Sequence, residues 1–198
     1  MFILGLNGSP DKKGNTYYLL SKVMEKTSNM GALTQIIDVG DFVASSKGCF
    51  CTACTNPCTG ICYKGTKLEE AFNLMRKADA IILGSPVYFG TVSAQLKAFF
   101  DKSRILRGEK ALYNKIGAGI TVGAAKYGGQ ETTMRALHDI MLVQGMIIIG
   151  DGYIDNDCGH HGVSSQKPSC DDEFAINRVE ILANRLVEVC NATKNLRK

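Results

Sequence analysis

The chain has no apolar run long enough to cross a bilayer, no block of like charge, no low-complexity stretch and no internal repeat. Without a continuous apolar segment of about 20 residues, a membrane-spanning helix is not expected. The opening residues, MFILGLNGSP, lack the basic lead and extended apolar core of a secretory signal. The Lys and Arg residues behind the net charge of +4 are scattered through 198 residues. A nucleic-acid partner, which calls for a basic patch or stripe, is therefore not expected either. Two nucleotide fingerprints are also missing: no Gly-Lys-Ser/Thr closes a Walker A loop, and no G-x-G-x-x-G follows a strand. The expectation is a protein of a reducing cytoplasm, where its eight cysteines are not disulfide-paired by default.

With 45% apolar and 21% charged residues and no linker-like stretch, residues 1–198 read as a single domain with a sizeable core. Phe2–Leu6, Ala80–Leu83, Ile116–Val122 and Met146–Ile149 are short, nearly unbroken apolar runs, with a weaker one at Leu33–Val39. Such runs fit parallel strands buried on both faces. Between them, helical spacing of apolar residues marks Thr16–Met30, Leu68–Arg76, Val92–Ile105, Thr132–Gln144 and Asp171–Cys190. Five strands alternating with five helices predict a doubly wound α/β fold. Residues 40–65 interrupt the rhythm as a cysteine-rich insert after the second strand, and 151–170 reads as a long C-terminal loop with no obvious place in the core.

Three loops follow strands. Gly8-Ser9-Pro10-Asp11-Lys12-Lys13-Gly14-Asn15-Thr16 runs from the first strand into a helix. Free backbone N–H groups and the positive helix end suit a phosphate there; the plainer reading is a tight turn with Asn15 or Thr16 as N-cap. The third strand runs into Ser85-Pro86-Val87-Tyr88-Phe89-Gly90, and the fourth into Gly123-Ala124-Ala125-Lys126-Tyr127-Gly128-Gly129. Tyr88 and Phe89 offer flat apolar contact suited to a tricyclic ring, against a plainer role in packing. Ligands of open α/β sheets bind beyond the carboxyl ends of the strands, where all three loops emerge.

Cys49, Cys51, Cys54, Cys58 and Cys62 fall within 14 residues, where an even spread of eight would put fewer than one. Thiolates at such short spacing hold iron–sulfur clusters, usually four per cluster. Structural zinc, which tends to use two separated pairs, a dithiol at Cys51 and Cys54, and plain loop cysteines are the alternatives. For one [4Fe–4S] cluster the expected ligands are Cys51, Cys54, Cys58 and Cys62. Cys49, separated from Cys51 by Phe50 alone, is read as a spectator, because five cysteines for four ligand positions leave one over. Cys158, His160 and His161 are read as a loop or subunit contact rather than a metal site. His138 is read as a helix-surface or interface residue, and Cys190 as core.

Gly8-Ser9-Pro10…Gly14-Asn15-Thr16 and Gly84-Ser85-Pro86-Val87-Tyr88-Phe89-Gly90…Gln95-Leu96-Lys97-Ala98-Phe99…Asp101 resemble the NAD(P)H-dependent FMN reductase superfamily, and within it the iron–sulfur flavoproteins. The resemblance reaches to about residue 150. It implies a flavodoxin-like fold with a five-stranded parallel sheet, and FMN as cofactor. Ser9, Gly14, Asn15 and Thr16 would hold the FMN phosphate, Pro86, Val87, Tyr88, Phe89 and Gly90 would run along the ring, and Gly123, Tyr127, Gly128 and Gly129 would complete the site. Iron–sulfur flavoproteins carry C-x2-C-x2-C-x4–6-C between the second strand and second helix; here the spacing from Cys51 is C-x2-C-x3-C-x3-C.

The implied activity is a flavin-dependent oxidoreductase whose chemistry FMN carries, with no catalytic side chain. A cluster near the flavin would relay single electrons to or from a donor such as ferredoxin. Without a cluster, the reading is an NAD(P)H-dependent FMN or quinone reductase. A flavodoxin-type carrier is the alternative of another class; such carriers are usually acidic, and this chain is not. A homodimer or a dimer of dimers is expected, with 151–170 near a neighbour's flavin.

Overall fold

The apolar runs become strands because each finds cover on both faces. The structure, a computed structural model, describes residues 1–197. Its sheet is built from β1 (Phe2–Asn7), β2 (Leu33–Asp38), β3 (Ala80–Pro86), β4 (Ile116–Gly123), β5 (Ile147–Ile148) and β6 (Val163–Gln166). The order is β2-β1-β3-β4-β5, with β6 also on β4, and every pairing is parallel. Alternation sends Ile3, Ile82, Ile116 and Ile120 to the face covered by α1 (Asn15–Asn29) and α7 (Glu173–Ala192). Leu4, Leu6, Ile81 and Leu83 face α3 (Lys67–Lys77), α4 (Ala94–Lys102) and α6 (Gln130–Val143). Gly117 and Gly119 of β4 leave the space that Met141 and Met134 of α6 fill, so this helix lies directly on the strand.

Three expectations change. The fifth strand is split: Ile147 and Ile148 pair with Ile116 and Gly117, and Val163–Gln166 then pairs with Ile120–Gly123 along the same edge. The segment 151–170 therefore contributes a sixth strand, with Val163 and Ser165 buried. The helix expected over Val92–Ile105 begins at Ala94 and breaks at Ser103, and α5 (Arg104–Gly108) continues beyond the break. The Ser103 hydroxyl donates back to the Phe100 carbonyl at 2.7 Å, a local bond that competes with helix continuation. The insert opens with a short helix, α2 (Val39–Ala44), before its irregular part.

Residues 149–162 leave the sheet between β5 and β6 and are tied at their neck by one arginine. Arg178 of α7 donates from Nε to Asp151 Oδ2 at 2.6 Å, from Nη2 to the Asp151 carbonyl at 2.6 Å and from Nη1 to Asp157 Oδ2 at 2.8 Å. Asp151 Oδ1 accepts from the His160 N–H, which closes the loop on itself. The hydrogen bond from Arg178 holds the Asp157 carboxyl below its ordinary range. Both Arg178 and Asp151 are buried, so removing one partner strands a charge in the protein.

Arg178→Met is expected to cost about 3–5 kcal/mol of unfolding free energy, the scale of breaking a buried pair from one side. Urea unfolding of parent and variant measures it; a loss below about 1 kcal/mol would place the pair among exposed, weak ones.

Candidate functional site

The first loop is held by short polar side chains and by one glycine. Asn7, buried at the end of β1, donates from Nδ2 to Asp38 Oδ1 at 2.7 Å and accepts the Ser9 N–H on Oδ1 at 3.1 Å. Gly8 donates its N–H to the Gly84 carbonyl at 2.8 Å and accepts from the Ser93 hydroxyl at 2.5 Å. A side chain here is excluded, since a Cβ on Gly8 would stand 2.8 Å from the Gly84 oxygen and 2.9 Å from Leu96 Cβ. Ser9 Oγ accepts the Asp11 N–H, and Asp11 Oδ1 accepts the Lys13 N–H, both at 3.1 Å.

Gly14, not Asn15 or Thr16, is the N-cap of α1, and no side chain caps the helix. Its first-turn N–H groups therefore face outward beyond the sheet edge, as an anion site requires. Asn15 accepts the Ser169 N–H on Oδ1 at 2.7 Å, which leaves its Nδ2 as a donor. Thr16 is nearly buried against the space that Gly84 leaves open. Ser9 through Thr16 thus fit a terminal phosphate by an uncapped helix end.

The second and third loops meet beside it. Tyr88 and Thr91 exchange backbone hydrogen bonds of 3.0 and 3.1 Å around Phe89 (φ 51°) and Gly90 (φ 75°), a tight turn with two left-handed residues. That conformation is unusual for a bulky residue, and it turns the Phe89 side chain fully into solvent. Val87 donates its N–H to the Val122 carbonyl at 2.9 Å, so Pro86–Val87 remain fixed to β4. Gly129, at φ 104°, comes against Gly90 and Val87, 3.1 Å from where a Cβ would stand. Tyr127 is 92% exposed. Gly123 is different: it is buried in β4, and its missing side chain admits the amide of Gln130, whose Nε2 donates to the Ala125 carbonyl at 2.8 Å. Gly123 shapes the loop from beneath and is not part of its surface. Tyr88, Phe89 and Tyr127 are exposed on these two loops. A cleft of about 410 Å³ lies elsewhere, open to solvent between α1 and β2.

The insert makes a second centre. The Lys47 N–H donates to the Cys62 carbonyl at 2.9 Å and closes its base. Inside is a cavity of about 100 Å³ onto which Cys51, Cys54, Cys58 and Cys62 all open, while Cys49 lies outside on the surface. Lys102 and Arg104, at the junction of α4 and α5, line the same cavity. The Lys102 ammonium is buried without a hydrogen-bond partner among the described residues. All eight cysteines are free thiols, and no three His, Cys, Asp or Glu side chains among the described residues converge as they would on a single ion. A multi-iron core spreads its thiolates over four corners, and its negative charge complements the lining cations, so the four cysteines fit a cluster better than one zinc.

Helix α4 runs between the first loop and the thiol cavity. Ser93, the N-cap of α4, is pinned to the first loop, whereas Lys102, its last residue, lines the cavity. The nine residues of α4 rise about 14 Å between them.

His138 Nε2 lies 2.9 Å from the His161 carbonyl, which can only accept, so that nitrogen carries the proton. Burial lowers the His138 pKa. Asn7, Ser93, Gln130, Lys102 and Arg104 were not legible as site residues. Only Asn7 and Ser93 left a signal, as polar residues at a strand end and a helix start.

A family model described as NADPH-dependent FMN reductase matches residues 1–160. An iron–sulfur flavoprotein of Methanocaldococcus jannaschii is 36% identical over 197 residues, 98% of this chain and 100% of the relative. One from Methanosarcina thermophila is 35% identical, covering 96% of this chain and 95% of its own. A flavodoxin-type, WrbA-like protein from Agrobacterium tumefaciens superposes with a TM-score of 0.66 at 19% identity, over 96% of this chain and 97% of its own, a likeness of fold.

Gly8→Ala is expected to lose about 1–3 kcal/mol in thermal or urea unfolding, since the obstructing atom is a backbone oxygen. Gly108→Ala, in a helix with open space around it, serves as the control and is expected to be neutral or stabilising by up to about 1 kcal/mol. Equal effects in both would remove the steric account of Gly8.

Proposed function

This chain belongs to the NADPH-dependent FMN reductase family and is an FMN-dependent oxidoreductase, and we propose that it works as an iron–sulfur flavoprotein, passing electrons between a donor and an acceptor through FMN and one [4Fe–4S] cluster. The observation that carries the cluster part is the single cavity shared by Cys51, Cys54, Cys58 and Cys62 beside the unpartnered Lys102. Bound FMN supplies hydride and single-electron chemistry, and the cluster single-electron chemistry. The protein's part is position and electrostatics.

The first-turn N–H groups of α1, with the Ser9 and Thr16 hydroxyls, the Gly14 backbone and Asn15 Nδ2, hold the phosphate. Pro86, Val87, Tyr88, Phe89 and Gly90 on one side, and Tyr127, Gly128 and Gly129 on the other, line the ring, with Gly123 setting the third loop from below. No side chain is assigned as acid or base. Cys51, Cys54, Cys58 and Cys62 ligate the cluster and Cys49 does not. The donor is ferredoxin or NAD(P)H. The chain assembles at least as a homodimer, a reading supported by Ile154, 85% exposed on the loop between β5 and β6. A clusterless NAD(P)H-dependent FMN or quinone reductase is the second reading. The exposed rings of Tyr88, Phe89 and Tyr127 favour it, since a nicotinamide can stack on an aromatic face left in solvent. The net charge of +4 argues against an acidic flavodoxin-type carrier.

Asn15→Ala and Thr16→Ala are each expected to weaken FMN binding by about 1–3 kcal/mol, the scale of a hydrogen bond to a charged group. Riboflavin affinity should stay unchanged. Fluorescence titration of the apoprotein with both flavins reads this out, and unchanged FMN affinity in both variants would move the phosphate elsewhere.

Among five single Cys→Ala variants purified without air, Cys49→Ala is expected to keep iron and sulfide, and Cys51, Cys54, Cys58 and Cys62 variants to lose them. Iron lost from Cys49→Ala but retained by Cys58→Ala would overturn the ligand set. Stoichiometric zinc and no iron in the parent would overturn the cluster.

A further inference from the structure

A lysine is almost never fully buried unless it is paired. Two lysines are buried among the described residues, and they differ. Lys115 donates its ammonium to the carbonyls of Arg76 and Ala78. Lys102, only 2% exposed, has no partner for Nζ among the described residues. The neighbouring carboxylate does not serve it: Asp101 is exposed and takes the Lys97 ammonium at 2.6 Å. An unpaired buried cation is costly to a folded chain, so its persistence points to an anion that completes it. Lys102 lines the cavity onto which Cys51, Cys54, Cys58 and Cys62 open. Lys47 and Arg104 line it too, and no Asp or Glu does. Four thiols and three cations without an acid describe a chamber built for negative charge carried on sulfur.

We propose that Lys102 is a positioning residue for the cluster, the fixed counter-charge that holds it in the cavity and raises its reduction potential. The inference rests on the cluster reading above. On one-electron reduction the donor, a flavin or a one-electron carrier, is oxidised by one electron; the iron–sulfur core takes that electron, and no bond forms or breaks. The negative charge inside the cavity grows by one, and an ammonium fixed beside it favours the more negative state. Its removal therefore favours the oxidised state. FMN, at the far end of α4, should feel little of this.

The test compares parent, Lys102→Met and Lys102→Arg, all purified without air with FMN bound. Iron and sulfide are counted, and the cluster and flavin potentials are read by dithionite titration followed by electron paramagnetic resonance and absorbance. Lys102→Met is expected to shift the cluster's equilibrium at least tenfold toward the oxidised state, about 59 mV more negative for one electron. Lys102→Arg should stay within threefold of the parent, and the flavin within twofold in both. Cluster-free Lys102→Met should melt above cluster-free parent, because the stranded ammonium is gone. If Lys102→Met folds with FMN, melts higher and fails to keep iron, the ammonium is needed to retain the cluster and the proposal stands. An unchanged cluster potential at full iron overturns it, as does a lower melting point of the cluster-free variant. A parent without iron and sulfide overturns the cluster reading itself, and the role of Lys102 with it.

Discussion

Gly8 donates to the carbonyl of Gly84 and accepts from the hydroxyl of Ser93, and those two bonds join the ends of β1 and β3 to the start of α4. A residue with a side chain cannot sit there, because a backbone oxygen occupies the space. Everything at this edge of the sheet follows from the approach that the glycine permits. It anchors the start of α4, the helix whose other end reaches the cysteine cavity. Gly129 repeats the device on the neighbouring loop, where its contact with Gly90 and Val87 brings the two aromatic turns together. The site is an arrangement of backbone held at close quarters, as expected where a cofactor supplies the chemistry and the protein supplies position.

Three buried cations illustrate three ways of managing charge inside this fold. Lys115 is satisfied by main-chain carbonyls, and burial lowers its pKa, the desolvation of the ammonium outweighing the nearby Asp79. Arg178 is satisfied by carboxylates, which raise its pKa and clamp the neck of the loop between β5 and β6. Lys102 has no hydrogen-bond partner for Nζ among the described residues and lines the cavity onto which four thiols open. The first two are structural in the plain sense that both partners belong to the chain. In the third, the missing partner is itself the information.

The central strands were legible because a strand covered on both faces is mostly apolar, and β1, β3 and β4 are so up to Asn7, Ser85 and Thr121 near their carboxyl ends. β2 read weakly because it lies at an edge, where alternate residues reach solvent. β6 could not be read at all: Val163-Ser164-Ser165-Gln166 has no apolar run, and only pairing with Ile120–Gly123 makes it a strand. The break at Ser103 was invisible because it depends on one hydroxyl turning to its own backbone and receiving Gln144 from α6.

Spacing along the chain was enough to select a doubly wound sheet, three ligand loops at one edge and a dense group of cysteines, because strand periodicity, turn residues and thiol density are local properties. Which thiols share a cavity, which lysine is buried beside them and how far that cavity lies from the first loop depend on groups remote in sequence. Lys102 stands 40 positions after Cys62, brought there by the packing of α4 against the insert. Desolvation of that ammonium is a property of enclosure, and enclosure exists only once the chain has folded.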